Sequence, residues 1–249
     1  MQNDVRLSLV IPVYNGADSV PGTLAQLSDW LPRQPACTEL VLVNDGSNLR
    51  TATLLREFAG STRGVKLLVN ERNGGKGLAV ARGMRAATGC FRVFTDADLA
   101  YSLEDVVDTA RQLEAGSDVV IACRVLPESR YDISPAFFRY LYTRHLMSRT
   151  FNWAVRHGLL PGILDTQAGL KGFTARAAET VFPRLTVQGF GFDVELLYIA
   201  RLHGLTITQK AVHFRYDYEP STMRFTRDAV TMLGDLVRIR WNGLRGRYR

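Results

Sequence analysis

Leu7-Ser8-Leu9-Val10-Ile11-Pro12-Val13 is the stretch whose reading decides the fold. It is a short, nearly continuous apolar run, the pattern of a strand buried in a parallel sheet rather than one with a solvated face. Similar runs recur at 39–44 (ELVLVN), 65–69, 91–95 and 119–123. Helical patterning lies between them, at 19–31, 51–58, from the 74–77 glycine loop to 87, and at 103–113. Strand and helix in alternation predict an α/β fold, a mostly parallel, Rossmann-like sheet with helices on both faces. In such a sheet, ligands bind beyond the carboxyl ends of the strands. The residues just after each run are therefore the candidates for chemistry.

The second half reads differently. Residues 135–157 form a long helical candidate rich in aromatics, with Arg139, Arg144, Arg149 and Arg156. A returning strand is expected at 169–174, a helix at 193–203 and a strand at 205–216. Over 224–241, Ala229, Met232, Leu233, Leu236, Val237 and Trp241 recur at helical spacing with a basic opposite face. No Pro/Ser-rich linker appears. The chain reads as one domain over 1–221 and a basic amphipathic C-terminal helix, an arm over 222–249.

Composition narrows the class. At 249 residues, with 46% hydrophobic and 22% charged residues, the chain can build a sizeable core without staples. Cys37, Cys90 and Cys123 are widely spaced and form no CxxC pair, which argues against a zinc ribbon and for a reducing compartment. The N-terminal residues lack the pattern of a secretory signal, and no stretch approaches the ~18 apolar residues of a membrane span. The expected location is cytoplasmic, peripheral on the cytoplasmic face of a membrane. The net charge is +7, and residues 222–249 hold seven arginines against Asp228 and Asp235. Such a tail suits nucleic acid, an anionic membrane surface or a phosphorylated substrate.

Asp96-Ala97-Asp98 directly follows a strand. Two carboxylates one residue apart at a strand end suit Mg²⁺ or Mn²⁺, completed by substrate phosphates and water. They also suit the plain capping of the next helix. Asn44-Asp45-Gly46-Ser47 offers Asp45 to a ribose or a base, or makes a simple turn. In Asn73-Gly74-Gly75-Lys76-Gly77, glycines let backbone approach a ligand, the helix N-terminus attracts anions, and Lys76 reaches for a phosphate. It is neither a P-loop nor a dinucleotide fingerprint. Asp165-Thr166-Gln167, Gly169-Leu170-Lys171-Gly172 and Asp193 with Glu195 add polar clusters. His203 and His213 read as structural, with His213 the one placed to reach a metal.

Taken in order, Val10-Ile11-Pro12-Val13-Tyr14-Asn15, Asn44-Asp45-Gly46-Ser47, Asn73-Gly74-Gly75-Lys76-Gly77 and Asp96-Ala97-Asp98 resemble the family 2 glycosyltransferases with the GT-A fold. Asp165-Thr166-Gln167-Ala168-Gly169-Leu170-Lys171 and Phe192-Asp193-Val194-Glu195-Leu196-Leu197 look like its polyprenyl-phosphate hexose synthase branch. The resemblance implies inverting transfer of a hexose from a nucleotide sugar, UDP- or GDP-linked, to a polyprenyl phosphate, with a slight lean to UDP. It implies donor binding by Pro12, Tyr14, Asn15, Asp45, Gly75, Lys76, Asp96, Ala97 and Asp98, with the metal on Asp96 and Asp98. On this reading Asp98, Asp193, Arg124 and Arg139 are expected to carry the catalytic roles, and Arg139, Gln167 and Lys171 to meet the acceptor. Ser221 aligns loosely with a donor-side loop. Mannose-type relatives often place Gln where this chain has Ala100, so metal coordination differs or is completed by water.

Two rival readings stand beside this one. A hydroxyl acceptor would need a general base, for which Asp193 is the candidate. A non-catalytic nucleotide-sugar binder or a nucleic-acid binder is the alternative of another class; no nucleic-acid motif accompanies the charge.

Overall fold

The computed structural model describes residues 5–35, 37–133, 155–156, 158–189, 191–216 and 225–249. The opening run is strand β1, Leu7–Val13, buried at every position except Pro12. Strands β2 (Thr38–Asp45), β3 (Val65–Asn70), β4 (Phe91–Phe94) and β5 (Val119–Ala122) keep close to the expected bounds. Helices α1 (Val20–Trp30), α2 (Leu49–Ser61), α3 (Lys76–Ala86) and α4 (Leu103–Glu114) alternate with them. Helix α2 starts earlier than expected because the Asn48 side chain caps it, accepting from the Thr51 N–H.

Further along lie β6 (Arg130–Ile133), β7 (Lys171–Thr174), α5 (Ala175–Val181), α6 (Phe192–Leu202), β8 (Ile207–Lys210), β9 (His213–Tyr216) and α7 (Phe225–Leu244). The main sheet runs β3-β2-β1-β4-β7-β5-β8. All its pairings are parallel except those of β7, which is antiparallel to both β4 and β5. The order reverses beside β1, with β2 and β3 to one side and β4 to the other. That is the switch point at which a crevice opens beyond the strand ends.

Several expectations need correction. The single strand expected over 205–216 is two strands, because β8 joins the main sheet while β9 pairs with β6 in a separate ribbon. Strand β6 lacks an apolar run and had no sequence signal. The helix expected over 135–157 falls almost wholly outside the described residues, as do Arg139, Ser221 and the 221/222 boundary. The apolar residues of the C-terminal helix do not share one face. Met232, Leu236 and Ile239 are buried on the domain, whereas Leu233, Val237 and Trp241 are exposed.

Alternation along β1 sends Leu9 and Ile11 to one layer and Val10 to the other. The first layer is closed by α1, α2 and α4, the second by α3, α5 and α6. Helix α3 lies so close to the sheet that a Cβ on Gly83 would overlap Val10 Cγ1 and stand 2.9 Å from Val43 Cγ2. Gly83→Val therefore overpacks this layer and costs about 1–3 kcal/mol. The measurement is a lower urea midpoint at unchanged m-value; a midpoint equal to that of the parent would mean that α3 lifts without cost.

The chain's end is fastened to α6. The Tyr248 hydroxyl donates to Glu195 Oε1 at 2.6 Å, and Glu195 also accepts from the Thr186 and Val187 N–H groups at 2.9 and 2.8 Å. Among the described residues, no helix is long and apolar enough to cross a membrane.

Candidate active site

The acidic turn is held from both sides. Thr23 Oγ1 donates to the Ala97 carbonyl at 2.5 Å, and Asp98 Oδ1 accepts from the Ala100 N–H at 3.1 Å. Leu99 between them takes a left-handed φ of 48°. This bend turns the chain away from β4 and leaves Asp98 exposed, with Asp96 and Ala97 half-buried. Asp96 Oδ1 pairs with Lys76 Nζ at 2.5 Å. A Cβ on Gly169 would overlap the Asp96 carboxylate, which would have to shift to make room for it.

The glycine loop is built by Asp45. Its carboxylate accepts from the Gly74 and Gly75 N–H groups, both at 3.0 Å, and from Asn70 Nδ2 at 2.6 Å. Gly75 sits at φ +90°, with no room for a side chain beside the Gln188 carbonyl. That carbonyl in turn accepts from the Gly77 N–H at 2.8 Å. Asp45 is only 3% exposed and engaged through both oxygens, so its part at the nucleoside, as the resemblance gives it, is joined by a part in shaping the loop. The peptide N–H groups of Gly74, Gly75 and Gly77 are taken by protein acceptors, and the Lys76 side chain adds a positive charge at this helix start. Burial opposes that charge, but Asp96, Asp193 and Asp98 outweigh it and raise the Lys76 pKa.

Asp193, on the first turn of α6, pairs with Lys171, whose ammonium also donates to the Ala168 carbonyl at 2.6 Å. Both side chains are sealed from solvent, Lys171 completely. Burial pushes the Asp193 pKa up and the Lys171 pKa down, against their mutual attraction. Lys171, expected at the acceptor, is thus the internal counter-ion of Asp193. The reason is topological: β7 inserts between β4 and β5, and register places Lys171 beside Phe94 in the middle of the sheet.

Arg124 follows β5. Its Nε and Nη2 donate to the two oxygens of Asp165 at 2.7 and 3.0 Å, and its N–H donates to the same carboxylate at 3.0 Å. This fork fixes the guanidinium plane while leaving the side chain 26% exposed. Burial would raise the Asp165 pKa; Arg124 reverses that and holds it low. Gln167 stands two residues on, and its amide nitrogen is buried with no partner among the described residues. On the nucleoside side, Tyr14 is 43% exposed and Pro12 half-buried. Asn15, at φ 51°, donates its N–H to Ser47 Oγ and accepts from the Asn48 N–H, tying the ends of β1 and β2 together.

The structure therefore gathers Lys76, Asp96, Asp98, Lys171 and Asp193 around the end of β4, with Arg124, Asp165 and Gln167 beside them. The sequence reading gave no role to Gly169 or to the Gln188 carbonyl. Gly169 carried a signal, a glycine inside a polar cluster; a main-chain carbonyl carries none. An open cleft of about 670 Å³ lies across the glycine loop, lined by Asn70, Arg72, Arg82 and Gln188 among others, and contains none of these carboxylates.

Among the described residues, no three His, Cys, Asp or Glu side chains assemble as a metal cage. His213, weighed as a ligand, pairs with Asp132 Oδ2 at 2.8 Å on the β6–β9 ribbon. The remaining donor set is two carboxylates at an open strand end, with Asp98 exposed. That set fits a hard cation completed by water and phosphate oxygens, Mg²⁺ or Mn²⁺, and does not fit a metal held by protein alone.

The family model described as "Glycosyl transferase family 2" matches residues 8–174. Over 98% of this chain and 78% of its own length, the human dolichyl-phosphate beta-glucosyltransferase is 32% identical. The Dictyostelium discoideum protein of the same name is 29% identical over 98% of this chain and 76% of its own. Among solved structures, glucosyl-3-phosphoglycerate synthase from Mycobacterium tuberculosis, crystallised with UDP, superposes with a TM-score of 0.67. It covers 94% of this chain and 80% of its own at 19% identity, a likeness of fold.

Proposed function

The chain belongs to glycosyl transferase family 2, and from that premise we propose that it transfers a hexose from a nucleotide sugar to a polyprenyl phosphate at the cytoplasmic surface of a membrane. The observation that carries this reading is the similarity to dolichyl-phosphate beta-glucosyltransferases, which runs through nearly the whole chain and both halves of the site. Glucose and a UDP donor are the favoured pair. The fold neighbour's complexes with UDP and Mn²⁺ support the nucleotide and the class of cation.

The chemistry is a displacement at the anomeric carbon. An oxygen of the acceptor phosphate bonds to C1 as the bond from C1 to the diphosphate oxygen breaks. The bonding pair leaves with the nucleoside diphosphate, and attack from the opposite face inverts C1. A divalent cation on Asp96 and Asp98 would supply positive charge to the leaving diphosphate. Lys76, 21% exposed and held by Asp96, adds a fixed positive charge at the same place. Arg124, oriented by Asp165, offers its guanidinium to the acceptor phosphate, and the unpaired Gln167 amide offers an N–H to a substrate oxygen. Pro12, Tyr14 and Asn15 frame the nucleoside. Arg139 keeps the phosphate-facing part that the family resemblance gives it.

A phosphate nucleophile arrives already anionic and needs no base; positioning and charge neutralisation suffice. A hydroxyl acceptor would need one, and Asp193 is enclosed against Lys171. That enclosure favours the phosphate.

The test incubates the purified chain with Mg²⁺ or Mn²⁺, labelled UDP- and GDP-hexoses and a short polyprenyl phosphate. Label should pass into organic solvent from UDP-glucose. No transfer from any donor, despite nucleotide-sugar binding, would overturn the lipid acceptor.

A further inference from the structure

Helix α7 has two apolar sides. Met232, Leu236 and Ile239 pack on the domain, while Leu233, Val237, Trp241 and Leu244 are exposed at 52, 72, 54 and 68%. Spaced at i, i+4, i+8 and i+11, these four lie on one stripe about 16 Å long, given the rise of a helix. Side chains of this size do not stand together in water without a reason. Arginine flanks the stripe on both sides, Arg240 on one and Arg238 with Arg245 on the other, all three exposed. The Arg245 guanidinium lies 4.4 Å over the Trp241 ring. From 231 to 249 the chain carries Arg238, Arg240, Arg245, Arg247 and Arg249 against Asp235 alone. Asp235 is turned inward, close against Gly191.

We infer that this stripe is a docking surface for an anionic lipid leaflet, with Leu233, Val237, Trp241 and Leu244 in the interface and the arginines on the headgroups. Charge selects the occupant. A second copy meeting the stripe face to face would bring its own Arg238, Arg240 and Arg245 against these three, whereas an anionic surface complements them. The mounting is rigid, since α7 runs alongside α6: Asp235 touches Gly191, and Arg240 reaches the Tyr198 hydroxyl at 3.4 Å. Asp235 thereby sets the start of the stripe near Asp193, at the site end of α6. Docking would hold the site close to a lipid phosphate, but the surface is argued from α7 alone and stands whatever the acceptor.

The test is flotation of the full chain with phosphatidylcholine vesicles, with and without phosphatidylglycerol, in the absence of any sugar donor. Partitioning onto the anionic vesicles only, weakening with salt, is expected. Leu233→Ser/Val237→Ser/Trp241→Ser, all exposed positions, should fold and lose roughly tenfold or more of the binding. Arg238→Gln/Arg245→Gln should lose a similar factor, on the order of tenfold, and its remaining binding should be less salt-sensitive. Equal binding to both vesicle types, no binding, or a concentration-dependent dimer abolished by the serine variant would each overturn the inference. Because no sugar is transferred in this assay, its failure is separate from failure of the proposed reaction.

Discussion

Lys171→Met is expected to destabilise the protein by about 3–5 kcal/mol, because it leaves the buried Asp193 carboxylate without its partner. Methionine matches the volume of the lysine stem, so packing against Phe94 is kept and the loss is electrostatic. For a chain of this length the melting temperature should fall by roughly 10 °C. Scanning calorimetry of the single variant and of Lys171→Met/Asp193→Leu separates the causes. The double variant removes both charges and should recover much of the loss, since well-packed apolar replacements of buried pairs are often neutral. A single variant melting with the parent would mean that Asp193 finds another counter-charge, and Lys76 is the group placed to supply it.

Asp96→Asn is expected to act on catalysis and spare the fold. Asp96 is a third exposed, at 33%, and Asp193 and Asp98 remain to offset the charge of Lys76, so the fold should be kept. The substitution removes one of two carboxylates in the acidic turn and the charge that anchors Lys76. Transfer should fall roughly a hundredfold to a thousandfold, the usual cost of one group stabilising transition-state charge. The check is single-turnover transfer of labelled hexose, with circular dichroism to establish that the fold is kept. A variant within a few-fold of the parent would sink the placement of the acidic turn at the reaction centre.

The strands and the place of the acidic turn were legible because their signals are local. An apolar run such as 7–13 or 39–44 identifies a buried strand by its own composition, and Asp96 follows such a run directly. Strand β6 was missed because its residues, Arg130-Tyr131-Asp132-Ile133, carry no such run and pair only with β9 in the small ribbon. The split of 205–216 was missed because composition does not say which sheet each half joins.

What the sequence determined by itself is therefore the α/β alternation, the family, and the ends of strands at which the candidate site residues lie. Tertiary structure alone decided the partners. Lys171 became a buried counter-ion because β7 runs antiparallel into the sheet centre. Asp45 turned to the glycine loop because β2 and β3 end side by side, bringing Asn70 to its partner Asp45 in register. The apolar residues of α7 divided into an inner and an outer stripe when α6 covered only one side. The physical reason is common to all three. Periodicity and propensity are properties of chain neighbours, whereas ion pairs and covered faces join residues far apart in sequence, whose meeting depends on how the whole sheet closes.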